Sequence, residues 1–453
     1  MSDIQALDPN KHSERLEDFS RRKNFPYLLG VYLALNAIRD LYLLVDGPDC
    51  NLHKAEFIYG KHDWNSNLLD PSGMHRVVFS NVTINDVGFD WQNHLRVMVK
   101  RIAGVPECGA VMLTGMPFCS LTGLQYDRVP RETKDAVKPV IDLVPGSLQG
   151  DWLDGYAEVL SALAGAVDLP PRDAEPHRVA VVGLMMDRTE EDHLGNVREL
   201  RRMLEALNLE LVSVWPANEP YASLSRVAAA QTILSLPYGR KAARLLAQRT
   251  GARILELEVP FGLESTRRWL LQIAQFFGRS DQADRFIERE LARTYSKLEW
   301  LIPYAFLNRE ISFFVDPHLV HGMVELAEGL GMRIRGAVAT ARQEHLGESA
   351  GGSKEDGSGI LFEPNALALQ EILGNPGELV IGNSFVTGAG ELKGNPACVE
   401  LGFPSWYSHA LVDAPFLGFE GYLSFVNRMS NALSAKKMNA LKGPPENYVK
   451  NTH

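Results

Sequence analysis

Four cysteines, at 50, 108, 119 and 398, and twelve histidines are the side chains of this chain best suited to metal or redox chemistry. Cys50 has the most informative setting. It closes LYLLVDGPDC (41 to 50), in which Leu41 to Val45 is apolar enough for a buried strand and Asp46, Gly47 and Pro48 stop it abruptly. Ligands collect where parallel strands end, so a thiol there is placed to meet a cofactor or partner. The alternative is a small core hydrophobe, the commoner fate of a lone cysteine. Cys108 opens a strand and reads as core, and Cys398 follows Pro396 in a loop without a pattern behind it. His53 stands three after Cys50 and His62 follows, which offers either a C-x-x-H ligand pair or ordinary polar loop residues. His409 and Tyr407 share a loop in which a histidine either donates a proton into a pocket or is a satisfied structural residue.

Several chemistries lack their motifs. No G-x-x-x-x-G-K-[ST] occurs, so no ATP site is expected on this chain. GAGELKG (388 to 394) lacks the dinucleotide spacing and reads as a tight turn. There is no H-E-x-x-H, no G-x-S-x-G and no C-x-x-C. The 46 Lys and Arg against 56 Asp and Glu leave a formal charge of -10, which disfavours nucleic acid as a client. The apolar run from Tyr27 to Ile38 is too short for a bilayer, and the polar N-terminus lacks the features of a secretory signal, so a cytoplasmic protein with reduced thiols and no membrane partner is expected.

The elements that must position these residues alternate between strand and helix. The 453 residues, 45% hydrophobic and 23% charged, suggest about three globular domains. After an arm at 1 to 24, a helix at 26 to 40 leads to the Cys50 strand, followed by an irregular stretch from Asn51 to Gly73. Strands are expected at 75 to 83, 108 to 115 and 138 to 143, with a helix from Asn85 to Ala103. The linker-like LPPRDAEPHR (169 to 178) precedes a second unit with strands at 178 to 186, LVSVW, TILSL and RILELEVP and helices at 196 to 210 and 238 to 251. Polar helices at 264 to 300 lead to a third unit, with EISFFVD, MRIRGAVAT, GILFE and ELVIGN, a surface loop at 345 to 359 and a helix at 419 to 433. This grammar is that of an α/β protein with mainly parallel sheets flanked by helices, divided at 25–170, 171–300 and 301–453.

AIRDLYLLVDGPDC, VVFSNVTINDVGFD and VMLTGMPFCSLTGLQYD together resemble the first domain of the nitrogenase component 1 family, which includes the light-independent protochlorophyllide and chlorophyllide reductases. LPYGRKAARLLAQRTG, PFGLEST, FVDPHLVHGMVELAEGLGM and the segment 401 to 433 resemble family segments in the same order, so the likeness covers most of 25 to 435. It implies three Rossmann-like domains and a homologous partner subunit, in a homodimer or a heterotetramer. The resemblance also implies an iron–sulfur cluster, 4Fe-4S or larger, shared between the subunits and fed with electrons by a separate ATP-hydrolysing iron–sulfur protein.

The resemblance assigns Cys50 to the family's cluster cysteine after its G-P turn. The resemblance puts an earlier family cysteine at Phe25 and a later one at Pro117, and makes Cys119 the second ligand if the chain carries a local insertion there. Two thiols per chain complete a four-thiolate site in a symmetric pair, whereas one requires a cysteine-rich partner. The two ligands of the nitrogenase active-site cofactor fall at Pro237 and Leu417, neither of which binds metal, so the chain does not resemble the subunit that holds that cofactor. The expected function is a catalytic-component subunit of an ATP-dependent nitrogenase-like reductase acting on a small organic molecule, a tetrapyrrole or an organosulfur compound. A cluster-assembly scaffold and a metal-free structural partner are the alternatives.

Overall fold

The computed structural model describes residues 25–70, 74–82, 91–120, 125–171, 175–346 and 359–441. Its frame is three sheets in which every strand pair is parallel. In the first, β1 (Leu41–Asp46), β2 (Val77–Phe79), β3 (Ala110–Gly115) and β4 (Val140–Asp142) lie in the order β2-β1-β3-β4. In the second, β5 (Glu175–Val182), β6 (Glu210–Trp215), β7 (Ala230–Ser235) and β8 (Arg253–Glu256) repeat that pattern as β6-β5-β7-β8. The third has five strands, β9 (Glu310–Val315), β10 (Arg333–Ala339), β11 (Ile360–Phe362), β12 (Leu379–Gly382) and β13 (Ala397–Glu400), ordered β11-β10-β9-β12-β13. The strand order therefore reverses once in each sheet, between β1 and β3, between β5 and β7, and between β9 and β12. Such reversals open a crevice at the carboxyl ends of the strands, where ligands bind.

The helix Tyr27–Asn36 has every residue buried, as a helix apolar on all sides must. It lies against the helix Trp152–Ala166 with the two backbones in contact: a Cβ on Gly30 would stand 1.7 Å from the Trp152 carbonyl oxygen, and one on Gly155 2.0 Å from that of Tyr27. Trp152–Ala166 begins in a capping box in which Asp151 accepts from the Leu153 and Asp154 amides and Asp154 accepts from the Asp151 amide. That helix also meets the helix Arg240–Thr250, so it joins the first sheet's layers to the second's. The helix Gly418–Leu441 packs on β13 and on the helix Glu191–Ala206, tying the third sheet to the second.

The structure differs from the sequence reading in several places. The stretch expected to be irregular from Asn51 contains a helix, Leu52–Ile58, which buries Ala55 and Ile58 in the core. Cys398 lies in β13, a short edge strand, and not in a loop. The helix expected to reach residue 40 stops at Asn36, whose side chain donates to Asp63 and accepts from Ser66. β5 begins at Glu175, inside the stretch read as linker, where Arg178 pairs with Glu175 and with Glu210 of the neighbouring β6. The arm at 1 to 24, the first residues of the helix expected from Asn85 and most of the 345 to 359 loop lie outside the described residues. Among the described residues, no helix is long and apolar enough to cross a membrane.

Candidate functional site

Two places at the strands' carboxyl ends carry chemistry, and the first is the reversal between β1 and β3. β1 ends in Asp46, which is wholly buried and accepts from Ser80 Oγ at 2.6 Å, Tyr126 Oη at 2.8 Å and Trp91 Nε1 at 3.0 Å. Three donors from distant segments make the strand's exit rigid. The chain then turns through Gly47 and Pro48 into a single 3-10 turn, Asp49–Asn51, which presents Cys50 on the surface. Cys50 Sγ touches Met116 Sδ at 4.0 Å, so the loops after β1 and β3 meet there. His53 donates from Nδ1 to the Cys50 carbonyl at 3.0 Å, which closes the turn. Burial lowers the pKa of neighbouring Lys54, and the nearby Cys50 sulfur opposes that shift.

Cys119 arrives at the same crevice in the short helix Pro117–Ser120 after β3, but its side chain faces inward. Burial pushes its thiol up to about 12, and a hydrogen bond to the Asp46 carboxylate adds to the effect. The crevice thus holds one exposed sulfur, that of Cys50, and one buried thiol beside a carboxylate. The two residues that the resemblance sets against further family cysteines are apolar: Phe25 packs against Phe403, Phe385 and Trp152 at 5.5, 6.2 and 6.4 Å, and Pro117 starts its helix. As a donor set for the iron–sulfur cluster that the resemblance implies, one exposed sulfur and one buried thiol fit a share of a site. Cys108 is buried with its thiol on the Ala110 carbonyl at 3.5 Å.

The second place is a cavity of about 50 Å³ between the carboxyl ends of the second and third sheets. Leu184 and Asp187 follow β5, Leu236 and Tyr238 follow β7, Asp316 follows β9 and Asn383 follows β12, so both strand-order reversals open onto it. The loops after β5 and β7 approach closely because Gly183, at φ +90°, would carry a Cβ only 2.4 Å from the Gly239 amide nitrogen. Leu417 and Arg428 close the cavity from the C-terminal segment, and Phe25 and Trp152 from the first layer.

A chain of buried charges lines one wall. His193 sits between Asp187, 2.6 Å from its Nε2, and Asp192, 3.0 Å from its Nδ1. Burial opposes charge on this ring, but the two carboxylates outweigh it and raise the pKa to about 9, so His193 is a buried imidazolium. Arg188 also grips Asp192 from Nε, and the cations beside it hold Asp192 well below the usual carboxylate range against its burial. His62 continues the chain as a neutral ring, since burial lowers its pKa. The Ser405 amide donates to its Nδ1 at 2.9 Å, and its Nε2 donates to the Asp187 carbonyl at 3.0 Å. On the opposite wall Tyr238 donates to Asp316, whose pKa burial raises to about 7.

Of the two residues assigned by resemblance to the active-site cofactor, Leu417 lines this cavity, and the neighbours of Pro237, Leu236 and Tyr238, line it as well. They do not fit a metal cofactor. Neither Pro237 nor Leu417 offers a donor, no cysteine is among the described lining residues, and both rings of His62 and His193 have their nitrogens engaged. The C-x-x-H pair, Cys50 and His53, shares one turn, with His53 Nδ1 engaged by the Cys50 carbonyl, while His62 is buried with both nitrogens engaged elsewhere.

His409 lies elsewhere, stacked on Trp64 at 3.8 Å between ring centroids and donating from Nδ1 to Glu190 at 2.8 Å. Glu190 also accepts from the Trp64 and Ala410 amides, so His409 ties two loops together as a structural residue does. The Asp187 to His193 network was not anticipated from sequence. Its signal was legible: the charged run DRTEEDH (187 to 193) follows the buried strand that ends at Val182 after four intervening residues, 183 to 186.

Comparison with known proteins accounts for this arrangement. Residues 27–434 match the model of the family described as nitrogenase component 1 type oxidoreductase. The nitrogenase molybdenum-iron protein alpha chain of Methanothermobacter marburgensis is 24% identical over 361 residues, covering 77% of this chain and 73% of that protein. Subunit N of the light-independent protochlorophyllide reductase of Rubrivivax gelatinosus is 23% identical over 336 residues, 70% of this chain and 71% of that one. The solved structure of nitrogenase Cp1 at pH 6.5 superposes with a TM-score of 0.74 at 15% identity, covering 97% of this chain and 96% of that chain, which shows the same fold. A match along nearly the whole chain, with the three-sheet frame to go with it, makes this protein a member of the nitrogenase component 1 type oxidoreductase family.

Proposed function

We propose that this chain is a subunit of the catalytic component of an ATP-dependent nitrogenase-like reductase, and that Cys50 supplies a thiolate to an iron–sulfur cluster shared with a homologous subunit. The observation that carries the reading is the exposed Cys50 sulfur at the β1/β3 reversal, on a turn braced by Asp46 and closed by His53. A ligand offered at the surface suits a site completed by another chain. The relatives include alpha and beta chains of nitrogenase molybdenum-iron proteins, which supports a homologous partner. When bound, the cluster supplies one-electron transfer at low potential.

Cys50 is thus the first ligand of the proposed set. Cys119 joins it only by giving up its proton beside Asp46, and burial together with that carboxylate opposes the ionisation. The reading therefore places most of the ligands on the partner, with electrons arriving from a separate ATP-hydrolysing iron–sulfur protein. The substrate is an organic molecule of the tetrapyrrole or organosulfur class.

Iron and acid-labile sulfide, measured on anaerobically purified chain alone and with its co-purifying subunit, test the reading. Iron that appears with the homologous subunit supports it. Absence of iron from both preparations overturns it.

A further inference from the structure

Trp64 stands at the surface, 53% exposed, and yet its ring is held in place. Its amide donates to Glu190 Oε1 at 3.0 Å, and its indole stacks on the His409 ring at 3.8 Å between centroids and 16° between planes. His409 is fixed in turn, with Nδ1 2.8 Å from Glu190 Oε1 and Nε2 3.3 Å from the Trp406 carbonyl oxygen. The two rings form a braced aromatic platform whose outer part faces solvent.

This platform opens onto a groove of about 350 Å³ lined by Gly60, Lys61, Trp64, Trp406, Tyr407 and His409. Tyr407, 75% exposed, adds a second aromatic wall from the loop after β13. Gly60, at φ +63°, puts no side chain into the space. The groove's charge is one-sided. No Asp or Glu is among its described lining residues, and Lys61 has no carboxylate partner among the described residues, its ammonium lying 5.4 Å from the centre of the Phe57 ring.

These features select a ligand chemistry. Exposed aromatic surface gathered in one groove marks a binding site more than scattered apolar residues do. A flat ring set against Trp64 and Tyr407 gains from stacking beyond the area it buries. A cation on a rim without acids favours an anion. The volume lies in the range of small-molecule sites and far above that of a single ion.

We propose that this groove binds a flat aromatic carboxylate of about two fused rings, stacked against Trp64 and Tyr407 with its carboxylate paired to Lys61. The site goes beyond the cluster reading, since it needs neither Cys50 nor a partner subunit.

The test uses the full chain alone at pH 7 with sodium 2-naphthoate as the probe and isothermal titration calorimetry as the readout. Neutral 2-naphthalenemethanol and the non-aromatic anion cyclohexanecarboxylate are the comparisons. Naphthoate should bind saturably at one site per chain, and each comparison compound at least about threefold more weakly. Tyr407→Ala and Lys61→Gln, both at exposed positions, should each weaken naphthoate binding at least about threefold, and Lys61→Gln should also erase the preference for naphthoate over the neutral alcohol. No saturable binding up to about 10 mM, or an affinity unchanged in Tyr407→Ala or in Lys61→Gln, would overturn the proposal. Self-association of the chain that Tyr407→Ala abolishes would overturn it too, because a second copy would then cover the groove.

Discussion

Tyr238 donates its hydroxyl proton to Asp316 Oδ1 at 2.9 Å and so joins the loop after β7 to the loop after β9 across the cavity. Asp316 also caps the helix Pro317–Gly329 by accepting from the His318 amide. Its carboxyl is raised by burial from 3.8 to about 7, so the folded chain holds this proton more tightly than the unfolded chain. Stability from this group is complete below pH 3.8 and is lost as pH rises towards 7. Asn serves equally as a helix cap and still accepts from Tyr238. Asp316→Asn should therefore gain stability relative to wild type between pH 5 and pH 8, which denaturant melts at the two pH values would measure.

His193 carries the opposite kind of group, a cation stabilised by Asp187 and Asp192. Its pKa of about 9 lies above the ordinary 6.5, so its contribution is complete below 6.5 and fades as pH rises through 9. His193→Gln leaves two buried carboxylates short of a counter-charge and should cost about 3 kcal/mol or more at pH 7. The deficit should shrink by pH 9.5, where the wild-type ring has itself lost its proton. Urea unfolding of both proteins across that range checks it.

The thiols should divide sharply by reactivity. Cys50 is exposed, while Cys108 and Cys119 are buried with thiols pushed up to about 12. The thiolate is the reacting form, so brief iodoacetamide treatment of the native chain at pH 8 should label Cys50 first and leave Cys108 and Cys119 unmodified until the chain is unfolded. Peptide mass spectrometry reads the outcome directly.

Much of this arrangement was legible in the chain. The β1 strand and its exit at Cys50 follow from five apolar residues stopped by Asp46, Gly47 and Pro48, and the all-parallel sheets follow from the alternation of strands and helices. β13 escaped notice because Ala397–Glu400 is a four-residue edge strand between Pro396 and Gly402, with too little pattern to register. The helix Trp152–Ala166 did carry a signal, the Asp151 and Asp154 capping box ahead of an apolar run. What spacing could not convey is the inward turn of Cys119, which depends on Asp46 some seventy residues earlier, as judged by numbering.

The cluster assignment rests on a single side chain, and the most direct measurement is made there. Wild type and Cys50→Ala would each be purified anaerobically with the homologous subunit, and iron and acid-labile sulfide counted per complex alongside the visible absorption spectrum. Because Cys50 is exposed and its sulfur meets Met116 Sδ at the long distance of 4.0 Å, the substitution should leave folding and subunit association intact. The account predicts a complex that assembles with its iron, sulfide and visible absorption largely lost. A Cys50→Ala complex with the wild-type complement of iron and sulfide would contradict it.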